Sequence, residues 1–166
     1  MQESLQLDIM LVGSGSIRVT EFGPIVLLSD LTECIPYDDS VVALSVTGTQ
    51  LKKMILFMLR DEVWEGIHSE FFQWSQGMRV VYDRANHEFN EFSLHNEPIE
   101  DEKIYKIGLQ YFFYLNMKEF FSISHEEIAQ TGKPRRVTTS CREVLDEYLS
   151  GQHNPDYAIS NRLIIE

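Results

Sequence analysis

The sequence predicts an α+β fold, and three observations lead to this class. Six short segments have the apolar runs or the alternation that are typical of strands. Three other segments have the apolar stripe or the capping signature of helices. The strand segments follow one another in hairpin-like pairs instead of alternating regularly with helices, which favours α+β over a doubly wound parallel sheet. The six strand segments are residues 7–12, 40–47, 71–74, 78–82, 88–94 and 104–109.

The first forty residues predict a strand, a glycine-rich turn and a short helix. The apolar run 7–12 is typical of a buried strand, and the Gly-Ser-Gly-Ser segment 13–16 that follows is typical of a tight turn. Ser29 and Asp30 are candidate caps for a short helix. This helix is expected to end before Pro36, because a proline disfavours the helical conformation of the residue that precedes it.

The middle of the chain predicts one helix and then several strands. Gly48 opens a segment whose apolar residues fall at i, i+3, i+4, i+7 and i+8, which is one face of a helix. Residues 71–74 and 78–82 lie on either side of Gln76-Gly77, which predicts a turn between two strands. Residues 95–98 predict another turn. The apolar stripe of the helix consists of Leu51, Met54, Ile55, Met58 and Leu59.

The last third of the chain predicts two capped helices. Ser124 with Glu127, and Ser140 with Glu143, each have the spacing of a capping box. The polar tail becomes apolar only at residues 163–165, which are expected to dock as a last strand.

Length, charge and cysteine content narrow the class of protein. The 166 residues are predicted to form a single domain, 1–166, and 43% of them are hydrophobic, enough for a core. The net charge of −12 would repel nucleic acid polymers and acidic membrane surfaces. Two cysteines are too few for a disulfide framework, and neither a signal peptide nor a transmembrane run is recognisable. We therefore expect a cytoplasmic protein, with a secreted parent protein as the alternative.

The glycine-rich turn and the arginine beyond it form a candidate anion site. Small residues at 13–16 let backbone N–H groups point into one concavity, and the planar guanidinium of Arg18 suits carboxylate or phosphate oxygens. The segment lacks the Gly-Lys-Ser/Thr ending of a P-loop and is not a dinucleotide fingerprint. Taken alone, it is better explained as a structural turn.

Four segments, in order, resemble those of the 5′-nucleotidase C-terminal domain family. Residues 8–18 resemble its strand and turn ending in Ile-Arg, and residues 28–40 resemble its helix, Pro-Phe turn and following strand. Residues 42–52 are similar to the strand that meets Thr-Gly-x-x-Leu-Lys. Residues 72–83 are similar to Gln-Val-Ser-Gly-Leu-x-x-x-Tyr-Asp. The resemblance extends over roughly residues 5–150, nearly the length of one domain.

Two departures identify the chain as similar to a divergent branch of that family, which we expect to be bacterial and cytoplasmic. Gly13 stands where the family has an asparagine. Residues 111–120 replace the family's Asn-Phe-Leu-Ala-x-Gly-Gly-Asp-Gly segment, so the aspartate that holds the ribose has no clear counterpart.

The resemblance implies a fold and a division of labour. The fold would be two intertwined halves in a layered α-β-β-α arrangement. An N-terminal metallophosphatase domain, absent from this chain, would bind two divalent metal ions and hydrolyse the phosphoester of a nucleotide. The C-terminal domain would bind and orient the nucleoside, and alone it would be inactive. No Asp-x-His or Gly-Asn-His-Glu/Asp metal motif occurs in the chain.

The resemblance also implies which residues contact the substrate. The arginine would hold polar edges of the substrate together with the turn, and two aromatic rings would stack on the base. An asparagine is the candidate for the missing ribose contact. The expected substrate-binding residues are Arg18, Tyr37, Phe112, Gly13, Ser14, Gly15, Ser16 and Asn116.

Several alternatives stay open. Tyr37 and Phe112 could pack in the core, and the neighbouring rings at 111, 113 and 114 compete with Phe112. The whole chain could be a non-catalytic module that binds a ligand or a partner protein. An independent thiol enzyme using Cys141 is disfavoured, because free cysteines are usually buried.

The remaining candidates are better explained structurally. His125-Glu126-Glu127 begins a capped helix, where acidic side chains complement the helix dipole. Arg135-Arg136 is expected in a solvated loop. The other histidines lack a metal-ligating partner at the required spacing; they are His68, His87, His95 and His153.

Overall fold

Two β-sheets carry the fold, and the computed structural model describes residues 1–65, 70–152 and 160–166. Within these ranges, sheet A has five strands and sheet B has four. Sheet A consists of β1 (Ile9–Gly13), β2 (Val41–Thr47), β3 (Phe72–Trp74), β7 (Ile104–Gln110) and β8 (Arg135–Thr138). Sheet B consists of β4 (Met78–Asp83), β5 (Glu88–Leu94), β6 (Glu97–Pro98) and β9 (Leu163–Ile165).

Helices occupy the connections between the strands. A 3₁₀ turn, Ser14–Ser16, follows β1 directly; residues 13–16 are called the glycine turn below. The helices are α1 (Leu28–Cys34), α2 (Gly48–Met58), α3 (Asp61–Trp64), α4 (Tyr111–Leu115), α5 (Met117–Phe121), α6 (His125–Ala129) and α7 (Cys141–Ser150).

The path of the chain through the sheets makes the two halves intertwined. The strand order is β3-β1-β7-β2-β8 in sheet A and β6-β5-β4-β9 in sheet B. The chain leaves sheet A after β3, builds most of sheet B, returns to sheet A at β7 and rejoins sheet B at β9. Strands β1 and β7 are parallel, as are β4 and β9, and the other pairs are antiparallel. The mixed sheets and helices confirm the α+β prediction.

One hydrophobic cluster joins the two sheets and α2. The predicted stripe of α2 is buried, and alternate residues of β2 such as Leu44 and Val46 point into the same cluster as Tyr82 and Phe92 of sheet B. The side chains of Thr47 and Gln50 cap α2 reciprocally. The apolar faces that helix and strand periodicity predict are therefore the faces buried in the core.

The turn at Gln76-Gly77 connects two sheets and is not a hairpin. Strand β3 pairs with β1, whereas β4 pairs with β5 and β9. Gly77 has φ +97°, which a residue with a side chain rarely adopts. The predicted turn at 95–98 is confined to His95 and Asn96, both with positive φ, because Glu97–Pro98 pairs with β5 as β6.

Other local predictions have mixed outcomes. The helix at 28–34 forms, but Asp30 caps it by accepting a hydrogen bond from Leu27 N (2.7 Å). The helices at 124 and 140 and the final strand at 163–165 are confirmed. The prediction of a loop at Arg135-Arg136 is wrong, because both residues lie in β8 and pair with β2. The sequence did not predict α4 and α5, which fill the segment 111–121.

No helix within the described ranges is both long enough and apolar enough to span a membrane.

Candidate functional site

A cavity of about 690 Å³ lies where the glycine turn, the loop after α1 and the start of α4 meet. Aromatic side chains dominate its wall, and an arginine and several carboxylates stand among them. The lining residues are Gly15, Ser16, Arg18, Tyr37, Asp38, Asp39, Glu70, Gln110, Tyr111, Phe112, Phe113, Leu115, Glu119 and Phe120. This volume falls in the range of small-molecule sites, roughly 300–1,000 Å³.

Arg18 and Tyr37 meet at this cavity although they lie on different loops. The backbone N–H of Arg18 donates to the carbonyl of Cys34 (2.9 Å), which fixes the turn against the end of α1. The guanidinium carbon of Arg18 is 5.6 Å from the centre of the Tyr37 ring. Tyr37 is 62% exposed, so it is not a core residue. Arg18 forms no ion pair with any residue in the described part of the chain.

The loop that bears Tyr37 is clamped to the start of α7. The carboxylate of Asp38 accepts hydrogen bonds from Ser140 Oγ (2.8 Å) and from Arg142 N (3.1 Å). The guanidinium of Arg142 donates in turn to the carbonyl of Ile35 (3.1 Å). Backbone and side-chain contacts on both sides of the ring therefore hold this loop in place.

Asp39 ties the same loop to the helix that carries Phe112. Its Oδ2 accepts a hydrogen bond from Phe112 N (2.6 Å), and its Oδ1 accepts one from Ser40 N (2.8 Å). The N-cap residue of α4, Gln110, makes no side-chain cap, so Asp39 supplies the acceptor that the helix start needs. The ring of Phe112 is 55% exposed and packs against Phe113.

The glycine turn directs its polar groups mainly to the protein's own side chains. Gln110 Oε1 accepts from Gly13 N (3.1 Å) and from Ser16 Oγ (3.2 Å). Glu70 Oε1 accepts from Gly15 N at 2.5 Å. A side chain at Gly13 would lie 2.4 Å from the Phe113 ring, so the close approach of β1 to α4 requires glycine there.

The structure brings most of the predicted site residues together. Arg18, Tyr37, Phe112, Gly15 and Ser16 line the cavity. The remaining three predicted residues are not among its lining residues: they are Gly13, Ser14 and Asn116.

Those three residues have local roles. The backbone N–H of Gly13 donates a hydrogen bond to Gln110 Oε1, and Ser14 Oγ accepts one from Gln73 Nε2 (3.2 Å). Asn116 Nδ2 donates to the carbonyl of Phe112 (2.8 Å), which places its amide on the last turn of α4. A contact between Asn116 and a ribose stays a prediction.

Sequence reasoning missed Asp39, Glu70 and Gln110 as parts of the site. Asp39 belongs to a polar turn beside Tyr37, and Gln110 is a polar residue at the end of an apolar strand, so both positions carried a weak signal. Nothing in the sequence links Glu70 to a turn 55 residues earlier in the chain.

Cys141 does not provide a nucleophile. Its side chain is buried, and burial together with the nearby carboxylates of Asp39 and Asp38 raises the pKa of the thiol from 9.0 to about 12. Since the thiolate is the reactive form, this cysteine is inert at neutral pH.

The other candidates also have structural roles. The reciprocal capping box of Ser124 and Glu127 begins α6, as the sequence predicts. The guanidinium of Arg136 lies over the Tyr111 ring, 4.5 Å from its centre. In the described part of the chain, no group of three or more metal-ligating side chains comes together, so these residues do not fit a metal centre. His68 and His153 lie outside the described residues.

Comparison of the whole fold with solved structures gives consistent matches. The 5′-nucleotidase precursor of Thermus thermophilus superposes with a TM-score of 0.79 at 17% identity, over 99% of this chain and 32% of that one. A putative 5′-nucleotidase of Staphylococcus aureus gives 0.74 at 11% identity, over 99% and 34% of the two chains. The NAD nucleotidase NadN of Haemophilus influenzae gives 0.70 at 15% identity, over 98% and 30%.

The chain thus spans about a third of the length of the nucleotidases whose fold it shares. No curated protein matches the sequence significantly. Residues 1–123, about three quarters of the chain, match the family described as 5′-nucleotidase, C-terminal domain. Together with the α+β fold and the order of its strands, this match shows that the chain belongs to the 5′-nucleotidase C-terminal domain family.

Proposed function

We propose that residues 1–166 form the substrate-binding domain of a 5′-nucleotidase-type phosphoester hydrolase, and that the cavity beside Arg18 holds the nucleoside of its substrate. One observation carries the proposal. Two exposed aromatic rings, Tyr37 and Phe112, and a guanidinium without an ion-pair partner in the described residues line the same cavity. The family of the chain supports the same assignment.

Each part of this wall suits one part of a nucleotide. Stacking of a base on an aromatic ring contributes roughly 1–3 kcal/mol. The planar guanidinium of Arg18 can donate two parallel hydrogen bonds to phosphate oxygens. Because the protein carries a net charge of −12, a guanidinium that lacks an ion-pair partner among the described residues matters more here than it would in a basic protein.

The chemistry itself would take place in a separate metal-bearing domain. We propose that an N-terminal metallophosphatase domain holds two divalent ions, as the family of the chain implies. Metal ions of such a site activate water and stabilise developing charge on a phosphoryl group. The present chain would bind and orient the nucleoside, and we expect it to hydrolyse no nucleotide when it is tested alone.

Titration of the chain with adenosine 5′-monophosphate, followed by calorimetry, tests the proposal. We expect millimolar or tighter binding, a loss of about tenfold or more in Arg18→Ala, and a similar loss in Tyr37→Ala. Arg79→Ala is the matched control, because Arg79 lies in sheet B and pairs with Glu91 away from the cavity. Equal affinities of Arg18→Ala and Arg79→Ala would contradict the proposed site.

A second candidate function is a non-catalytic module that binds a partner protein or another ligand. The observation that favours it is a run of exposed apolar side chains around the start of α1: Ile25 is 75% exposed, and Leu27 and Leu28 are 58% and 64% exposed. Exposed apolar patches often mark contact surfaces. Absence of binding for nucleosides and nucleotides alike would favour this candidate over the first.

A further inference from the structure

We propose that Glu70 is a specificity-determining residue of the cavity and that it recognises a hydrogen-bond donor on the ligand, a sugar hydroxyl or an exocyclic amine. This inference rests on the proposed function, because it names which nucleotides the same cavity selects. It changes the role of the glycine turn, which the sequence alone suggested as a site for an anion.

The geometry places a carboxylate where that anion was expected. Glu70 Oε1 accepts the hydrogen bond from Gly15 N at 2.5 Å, and Glu70 also lines the cavity. A β-carbon at Gly15 would lie 2.9 Å from Glu70 Oε2, and one at Gly13 would lie 3.0 Å from Glu70 Oε1. The two glycines therefore leave the space that the carboxylate occupies, and the turn is already bound to a negative group.

Within the described part of the chain, the carboxylate of Glu70 uses little of its hydrogen-bonding capacity. An ionised carboxylate has about four acceptor positions and no donor. Among the described residues, Gly15 N is the only donor bonded to Glu70, and Glu70 forms no ion pair there. By contrast, the carboxylates of Asp38 and Asp39 accept hydrogen bonds from the starts of two helices. A ligand that enters the cavity thus meets acceptors at Glu70.

The cavity wall offers a ligand charges of both signs. The guanidinium of Arg18 attracts an anionic group, whereas the carboxylate of Glu70 repels one and favours a donor. Carboxylates recognise ribose hydroxyls in other nucleotide sites for the same reason. A phosphorylated nucleoside has both ends, with the phosphate at one and hydroxyl or amine donors at the other.

Three ligands distinguish the sources of the donor. Adenosine 5′-monophosphate carries both the sugar hydroxyls and the amine, its 2′,3′-dideoxy analogue lacks the hydroxyls, and purine riboside 5′-monophosphate lacks the amine. We expect one analogue to bind the wild-type chain about tenfold more weakly than the parent, since hydrogen bonds to charged groups are among the strong ones. The analogue that binds more weakly identifies the donor group that Glu70 recognises.

The variant Glu70→Gln tests whether this preference comes from the carboxylate. Its amide oxygen still accepts from Gly15 N, so the turn is retained while the charge is lost. We expect the tenfold preference to fall to about twofold in Glu70→Gln and to persist in Glu88→Gln, which removes an exposed charge from sheet B, outside the cavity lining. An unchanged preference in Glu70→Gln, or an equal fall in both variants, would overturn the inference.

The wild-type titrations keep the inference testable if Glu70→Gln does not fold. Equal affinity for all three ligands would overturn the role of Glu70 while leaving nucleotide binding intact. If none of the three ligands binds, the proposed function fails, and the role of Glu70 fails with it.

Discussion

Removal of the Asp39 carboxylate should destabilise the protein through α4, the helix that carries Phe112. In Asp39→Ala, Phe112 N and Ser40 N lose their acceptors at 2.6 and 2.8 Å. The bond to Ser40 N joins adjacent residues, so only the bond to Phe112 N of α4 is counted in the expected loss of stability. Loss of an aspartate cap costs about 1 kcal/mol, within a range of roughly 0.5–2 kcal/mol.

The expected change is measurable by thermal unfolding. At this chain length, 1 kcal/mol corresponds to about 2–4 °C in Tm, so Asp39→Ala should lower Tm by that amount. Asp39→Asn retains one oxygen acceptor and should lose less. Asp146→Ala is the control, because Asp146 is an exposed aspartate on α7. If Asp39→Ala and Asp146→Ala unfold at the same temperature, Asp39 does not cap α4.

Three further perturbations test the packing and the titrating groups. Gly48→Ala should lower the unfolding free energy measured in urea by about 1–3 kcal/mol, because the new β-carbon would lie 2.1 Å from the carbonyl oxygen of Glu100. Gly151→Ala is the control: its β-carbon would make only ordinary contacts, so it should be nearly neutral. Burial raises the pKa of Cys141 above its unfolded value, so the unfolding free energy should fall as pH rises from 9.0 to about 12. In Cys141→Ala, the midpoint of urea unfolding should decrease less over this pH range. The pKa of Glu127 is lowered by its capping bond to the backbone and by Lys53, so its stabilisation should be lost as pH falls below 4.5, and Glu127→Gln should flatten the decline of Tm there.

Periodicity and capping signals predicted the elements whose determinants are local. The stripe of α2 repeats at helical spacing, and Thr47 and Gln50 cap it within the same turn. The box of Ser124 and Glu127 likewise lies within four residues. In each case, the residues that fix the structure are neighbours in sequence, so the pattern could be read without the fold.

The segment 111–121 could not be predicted as helical for the opposite reason. Its aromatic residues are common in strands and give no clean helical stripe. Helix α4 depends on Asp39, which is 73 residues away, and α5 packs against α2. Tertiary contacts therefore override the local preference.

The candidate site shows the same division. Arg18 and Tyr37 lie in the segments that resemble the family, and Phe112 was proposed from its place after the strand that ends at Gln110. All three line one cavity. Glu70 could not be predicted from the sequence, because its partner, Gly15, is distant in the chain and glycine carries no side chain that would indicate a contact.

The pairing of β9 with β4 has a consequence for synthesis of the protein on the ribosome. Residues 163–165 are among the last of the described residues to be synthesised, yet they pair with one hydrogen-bonding edge of β4, which is synthesised about eighty residues earlier. At roughly 5–20 residues per second, that side of β4 stays uncovered for several seconds. An uncovered apolar strand edge can pair with another nascent chain, so truncation before Leu163 should increase aggregation during expression.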